Sequence, residues 1–380
     1  MPQFGWVGVS GVNFKVKGTG VIMTGTMQAQ VFYEPELMKL ETRDIPRIAA
    51  DEVLVEVKAT GICGSDISYY YGQSPLETAD GKGPLYLGHE IAGVVVEVGS
   101  IPAALQLFSG GERVAVNPVQ QCNTCPACMR GEFNCCAHVQ TIGVNVNGGF
   151  ARYVKVKYTH AYTMPDAMSF AQGAVAEPLA CATYGVKRLD VRLGQTVVIF
   201  GSGTIGLFMV QLVRASGAGQ VILAGVEDHS LGLGLELGAQ AAFNTLDTAS
   251  PYYTPDLTRS VGQLTGGEMA PRAIVATSHM QALQSALGVT CKNSTVVYFG
   301  LPGPKDMLAL PVLDAINMNR TIKFSWLAPL VWDDVFKAVA NGQIDVDRIV
   351  THRFSLEDAE RGIRFMRESK EDKVKGIVVL

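Results

Sequence analysis

Charge is sparse in this sequence. Charged residues are 17% of the 380, the net charge is −4, and no segment gathers the basic ones. That excludes a surface built for nucleic acid or for an acidic membrane, and a small soluble ligand is the expected partner. Long apolar runs are missing as well. The longest, residues 197–213, is broken by Gly, Ser, Thr and Gln, so no membrane-spanning helix is expected. Internal repeats and low-complexity tracts are absent. Residues 1–26 have neither a basic leader nor a continuous apolar core, so a signal peptide is not expected. They read as an N-terminal extension, with the folded body starting at Met27 and the protein remaining in the cytoplasm. Glycine, by contrast, is plentiful at 41 residues, which suits an α/β enzyme with many tight turns. The length accommodates two domains, each with its own core.

The chain is organised around residues 196–206, T-V-V-I-F-G-S-G-T-I-G. A β-rich apolar run feeds into Gly201, Gly203 and Gly206, and helix-permissive residues follow. The first glycine permits the turn, the second lets backbone approach a pyrophosphate, and the third lets helix pack on strand. Taken alone the pattern is a weak signal; a strand before it, a helix after it and a second strand at 220–224 supply the context it needs. Gly201, Gly203, Thr204, Ile205 and Gly206 are therefore candidate dinucleotide contacts, joined by Thr277, Gly300 and Leu301 beside later strand ends. Strands expected at 197–200, 220–224, 273–277 and 295–299 with helical connections make residues 181–319 a parallel-sheet domain.

Upstream, the pattern from 28 to 158 is β-rich, with alternating strands at 53–59, 91–98 and 148–158. Cys63 lies in a loop, G-I-C-G-S-D, and His89 and Glu90 follow in G-H-E. With Glu177 in A-E-P-L-A-C they offer the mixed sulfur, nitrogen and oxygen ligands of a catalytic zinc with one open position. Each residue is unremarkable singly. The stronger signal is Cys122, Cys125 and Cys128, three apart, followed by Cys136: four thiolates for a closed structural zinc. Disulfides are the alternative, disfavoured in a reducing compartment. Cys135 is then spare and Cys291 a core residue. After the parallel-sheet domain, a strand at 321–325, a helix at 332–341, a helix capped by Ser355 and Asp358, and a last strand at 376–380 form a tail expected to return to the first domain.

These motifs in this order, with V-T-H-R-F at 350–354, resemble the zinc-dependent medium-chain alcohol dehydrogenases, in particular their polyol and threonine dehydrogenase branch. The resemblance spans residues 27–380. It implies a GroES-like β-barrel catalytic domain, residues 27–180 and 320–380, with a Rossmann domain, a doubly wound parallel sheet, inserted between them. It places Cys63 and His89 on the catalytic zinc, with Glu90 and Glu177 each a ligand or a near neighbour. Ser65 matches the hydroxyl that passes the alcohol proton towards the cofactor ribose, and Tyr69 a tyrosine near substrate. Three departures stand out. Ser68 occupies the place of a histidine that commonly ends the proton relay, and serine is no base near pH 7. Leu327 and Ala328 replace an Arg-Tyr pair that holds polyol hydroxyls, so open-chain sorbitol is not the expected substrate. Gly225 stands where an acidic residue normally binds the adenosine ribose of NAD. Glu227 and Asp228 nearby, with no arginine and with Ser230 where one is common, favour NAD over NADP.

The resemblance thus implies hydride transfer from a secondary alcohol of a polyol, cyclitol or sugar derivative to NAD, with zinc as Lewis acid, in a homodimer or homotetramer. Two other readings use the same residues. An internal redox cycle of bound cofactor would make the protein a lyase or epimerase, and loss of catalysis would leave a binding protein.

Overall fold

The computed structural model describes residues 12–17, 20–74 and 83–380. The first of its two compact units comprises residues up to Glu177 together with Val350–Lys370 and Lys375–Leu380. Its centre is the strand Glu52–Ile62, whose valines at 53, 55 and 57 are fully buried. β-branched residues at every second position suit a pleated surface with one face in the core. Around it runs a seven-stranded sheet ordered Ala161–Thr163, Arg113–Val116, Glu90–Val98, Glu52–Ile62, Lys375–Val379 and Val350–Ser355, with Tyr153–Lys157 pairing on Glu52–Ile62. The register sets Gly61 opposite Glu90 on one side and opposite Ile377 on the other. The chain's last strand therefore arrives beside the residues that follow Glu52–Ile62.

The strand that holds Met27 begins earlier than expected, at Gly20, and pairs antiparallel with Val12–Lys17. Met23 is buried, and its N–H donates to Glu97 Oε2 at 2.9 Å. A break at Met27 is thus overturned by apolar burial upstream of it. The remainder of the expected 1–26 extension lies outside the described residues.

The second unit comprises Pro178–Ile349 and Glu371–Val374. Its six strands are all parallel, in the order Ala241–Asn244, Gln220–Gly225, Thr196–Phe200, Ala270–Val275, Thr290–Tyr298 and Thr321–Phe324. Numbered along the chain this is 3-2-1-4-5-6, the doubly wound arrangement whose ligands bind beyond the carboxyl ends of the central strands. Strands with both faces covered read as continuous apolar runs, and Val197, Val198, Ile199, Ile274 and Val275 have no exposure. Residues 320–349 were expected to return to the catalytic body and instead belong here. Thr321–Phe324 completes the parallel sheet against Thr290–Tyr298, and the helix Trp332–Ala340 stays with this unit. A four-residue strand carries no period that tells one sheet from another. The helix expected after Ser355 starts at Ala359 with Asp358 at its N-cap and no side-chain cap bond there, while Ser355 Oγ accepts the Asp358 N–H at 3.3 Å. Among the described residues no helix is long and apolar enough to cross a membrane.

Close approach at the glycine turn gives a direct test. A Cβ on Gly206 would lie 1.8 Å from the Gly201 carbonyl oxygen. Gly206→Ala is expected to destabilise the protein by about 1–3 kcal/mol through this overpacking, read as a lower denaturation midpoint; an unaltered midpoint would contradict the packing argument.

Candidate active site and metal centres

The strand Glu52–Ile62 delivers the chain to Cys63, which caps the helix Gly64–Tyr70. Asp66, at the third position of that helix, closes a capping box: its Oδ2 accepts the Cys63 N–H at 2.9 Å. Its Oδ1 accepts the Gly88 N–H at 3.1 Å and lies 3.5 Å from His89 Nδ1. One buried carboxylate thus ties the Cys63 loop to the His89 loop. Burial alone would lower the His89 pKa, yet the negative charges of Asp66 and Cys63 outweigh it and hold the imidazole well above its ordinary value. Asp66 was missing from the sequence candidates. Its signal was the spacing of a cap residue and an acidic residue three positions on, which has a purely local reading as well.

The Cys63 sulfur, a ring nitrogen of His89 and a carboxylate oxygen of Glu90 all lie within 4.8 Å of one another. One ion with bonds of about 2.0–2.3 Å can bridge such a set. Glu90 Oε2 is buried without a geometrically sound hydrogen bond, as expected of a group arranged around a cation. The donor set therefore fits zinc. With Nδ1 beside Asp66, Nε2 is the nitrogen available to an ion. Ser65 Oγ stands 3.4 Å from that Nε2. Glu177, in the first turn of the helix Ala176–Leu189, is buried but lies outside this group of three.

Glu90 has a second neighbour that the motifs did not indicate. Lys375, from the last strand, places Nζ 2.6 Å from each carboxylate oxygen and donates to the Ile62 carbonyl at 2.8 Å. Burial works against its charge, but Glu90 and Cys63 together hold the lysine pKa above its usual value. The pairing is invisible in sequence because 285 positions separate the partners.

The tyrosines after Cys63 have packing roles. Tyr69 is buried, stands edge-on to Phe32 with centroids 6.5 Å apart, and its hydroxyl donates to the Val144 carbonyl at 3.4 Å. Tyr69, expected near substrate, belongs to a buried apolar cluster with Phe32, Leu87 and Phe150. Tyr70 donates to Glu360 at 2.7 Å and Tyr71 to Glu368, joining this helix to Ala359–Glu368. Ser68 Oγ donates to the Gly64 carbonyl at 3.0 Å.

In the cysteine lobe, Cys122, Cys125, Cys128 and Cys136 converge with all four sulfurs within 4.8 Å, while Cys135 is exposed and apart. Sulfur separations of 3.5 Å for Cys125–Cys128 and 4.0 Å for Cys122–Cys128 and Cys125–Cys136 bracket the roughly 3.8 Å edge of a tetrahedron with Zn–S near 2.3 Å. None is bonded to another as a disulfide. The hydroxyl and N–H of Thr124 and the N–H of Cys125 point at the Cys122 sulfur and bring its pKa down to about 5, the thiolate form a metal requires.

The glycine turn is built as a phosphate cradle. Gly201 adopts φ +100°, a left-handed conformation that disfavours any side chain, and Gly203 caps the helix Thr204–Ala215 facing open space. Thr204 Oγ1 donates to the Val374 carbonyl at 3.0 Å, and Thr204 and Ile205 open the helix in its first turn. Thr277 and Gly300 adjoin one another, since a Cβ on Gly300 would stand 2.0 Å from the Thr277 carbonyl; Leu301 beyond them is exposed. At the end of Gln220–Gly225, a Cβ on Gly225 would lie 2.3 Å from Ser202 Oγ, so a side chain there would require Ser202 to shift. Asp228 accepts from Asn244 at 2.8 Å and Ser250 at 2.6 Å. Glu227 is exposed and makes no cap bond, and Ser230 is buried.

Loss of the structural zinc has a defined consequence. Cys125→Ser is expected to release one zinc equivalent and lower the melting temperature markedly, because binding free energy at such a site is folding free energy; metal analysis with thermal unfolding checks both.

Comparison with known proteins accords with this geometry. Residues 49–166 match the alcohol dehydrogenase GroES-like domain, and residues 204–341 match the zinc-binding dehydrogenase domain. Sorbitol dehydrogenase of Bacillus subtilis is 30% identical over 350 residues, 90% of this chain and 95% of that one. A Sinorhizobium meliloti protein described as a zinc-binding dehydrogenase and solved with NADP is 29% identical with a TM-score of 0.85, covering 94% of this chain and 100% of its own. An Escherichia coli alcohol dehydrogenase solved with NADH is 27% identical with a TM-score of 0.85, covering 93% and 99%. The open Cys-His-Glu set, the closed four-cysteine lobe and the glycine cradle thus occur in a chain that belongs to the zinc-dependent, NAD(P)-linked medium-chain alcohol dehydrogenases, among polyol dehydrogenase relatives.

Proposed function

We propose that the protein oxidises a secondary alcohol of a polyol, cyclitol or sugar derivative to the ketone, with NAD as acceptor. The observation that carries this reading is the meeting of Cys63, His89 and Glu90 beside Ser65, in a chain that also holds the dinucleotide cradle. When bound, zinc would supply Lewis acidity and the nicotinamide a hydride acceptor. The chain's own residues do the rest. Cys63 and His89 hold the ion with Glu90, Asp66 fixes the imidazole's orientation, and Ser65 Oγ is placed to receive the alcohol proton. Ser68, its hydroxyl engaged by Gly64, is no base, so the proton leaves through water.

The adenosine end supports NAD. Ser202 fills the space beside Gly225, Asp228 is committed to Asn244 and Ser250, and the exposed Glu227 is left to accept from the ribose hydroxyls and repel a 2′-phosphate. The sorbitol dehydrogenase relative supports a hydroxylated substrate, and Leu327 with Ala328 argues for one other than open-chain sorbitol. A cytoplasmic homodimer or homotetramer belongs to the same proposal.

Reduced nicotinamide should accumulate when the purified protein meets NAD and one member of a panel of polyols, cyclitols and sugar acids. Consumption of a panel compound without accumulation would instead indicate an internal redox cycle and a lyase or epimerase. Cys63→Ser is expected to lower turnover about a thousandfold or more, since Lewis-acid stabilisation is worth several kcal/mol and each 1.4 is tenfold; retained activity would refute the zinc role. Glu227→Ser should narrow the preference for NAD over NADP by about tenfold, the scale of one hydrogen bond to a charged group, measured as kcat/KM for each cofactor.

A further inference from the structure

The helix Ala359–Glu368 has no part in the reaction as proposed, yet it touches both ends of the segment that carries Cys63. At one end Gly362 lies against Ile62, the residue before Cys63: a Cβ on Gly362 would come within 2.8 Å of Ile62 Cδ1. At the other, Glu360 Oε1 accepts the Tyr70 hydroxyl at 2.7 Å, and Glu368, further along the same helix, accepts that of Tyr71. Ala359, Gly362 and Ile363 are the buried residues of this helix, so Glu360 is a carboxylate set beside its apolar face. Tyr70 is itself buried. Burial and the bond to Glu360 push its phenol pKa upward, so the hydroxyl stays a donor to the carboxylate.

Packing alone does not require this pair, because replacing both partners of a hydrogen bond by apolar groups of similar shape can be nearly neutral. What the bond adds is direction. The helix Gly64–Tyr70 has seven residues, too few for a stable helix in isolation. Cys63 caps it, and Ser65 and Asp66 lie on it. Asp66 accepts the N–H groups of Cys63 and Gly88 and stands beside His89 Nδ1. A turn of this short helix therefore moves Cys63 and the support of His89 together.

We propose that Glu360 is a positioning residue for the metal ligands: by holding the Tyr70 hydroxyl it stops the helix Gly64–Tyr70 from turning, and so keeps Cys63 and Asp66 in register with His89. The inference rests on the reading that Cys63 and His89 hold the ion. Asp66 fixes the helix at its start and Glu360 at its end. The two partners of the second contact are 290 positions apart.

The experiment follows zinc release from the purified holoenzyme to a chelating dye, in wild type, Glu360→Leu, Glu360→Gln, Tyr70→Phe and the double variant Glu360→Leu with Tyr70→Phe. Cys63→Ser and Cys125→Ser assign the two zinc equivalents, since each removes one. Glu360→Leu and Tyr70→Phe are each expected to speed release of the zinc at Cys63 by about tenfold, the low end for groups that support metal ligands, while the four-cysteine zinc leaves at the wild-type rate. The double variant should be no faster than either single one, because both break the same bond. Glu360→Gln keeps an acceptor for the hydroxyl and should restore the wild-type rate. A contact serving stability alone would speed both equivalents together. That result, an unchanged rate in Glu360→Leu, additive rates in the double variant, or Glu360→Gln as fast as Glu360→Leu overturns the inference. Should Glu360→Leu fail to fold, Tyr70→Phe carries the same expectation. If Cys63→Ser keeps both zinc equivalents, the metal-site assignment fails and this inference with it; if it loses one while the Glu360 variants release zinc like wild type, only the role of Glu360 falls.

Discussion

The Glu90 carboxylate is wholly buried, and the first unit is arranged to answer its charge. An isolated carboxylate in a protein interior costs several kcal/mol after relaxation. The response comes from strand pairing. The central strand Glu52–Ile62 leaves Gly61 opposite Glu90, so the side chain has room, and the last strand of the chain pairs on its other side, so Lys375 arrives within 2.6 Å. The same junction ends in Cys63, which is why the metal ligands and the ion pair occupy one small volume. The unit cannot bury Glu90 until both ends of the chain are in place.

The two cysteine-bearing sites differ in what surrounds them. In the lobe, four sulfurs close on one another and backbone N–H groups aim at the sulfurs, leaving no ligand position for a reactant. Around Cys63, the ligands are mixed and each is held by something else: Cys63 by Asp66, His89 by Asp66, Glu90 by Lys375. Second partners of this kind orient ligands and set their basicity. The first arrangement suits a fixed structural ion and the second an ion that exchanges a ligand.

In the second unit, sterics do the work that charge does in the first. Gly201, Gly206, Gly225 and Gly300 each stand where a side chain would meet backbone or a neighbouring residue within about 3 Å. The glycine at 225 is notable because it is coupled to Ser202 inside the turn motif. Ser202 stands in the space a side chain at 225 would fill, and the next exposed carboxylate along the chain is Glu227.

By itself the sequence determined whatever is local. The glycine turn needs only adjacent residues; the four cysteines declare a metal site by spacing; Cys63 and the His89-Glu90 pair lie in short motifs. Strand and helix placement followed because period-2 and period-3.6 patterns are properties of consecutive residues. Tertiary structure decided what depends on partners far along the chain. It sent Thr321–Phe324 to the parallel sheet and buried Tyr69 among Phe32, Leu87 and Phe150. It drew Met23 into the fold and turned Asp66 from a helix cap into the support of His89. It also set Lys375 on Glu90, a contact between residues 285 positions apart that only the strand register creates. A side chain's environment is a sum over neighbours in space, and for these residues the deciding neighbours are distant in sequence.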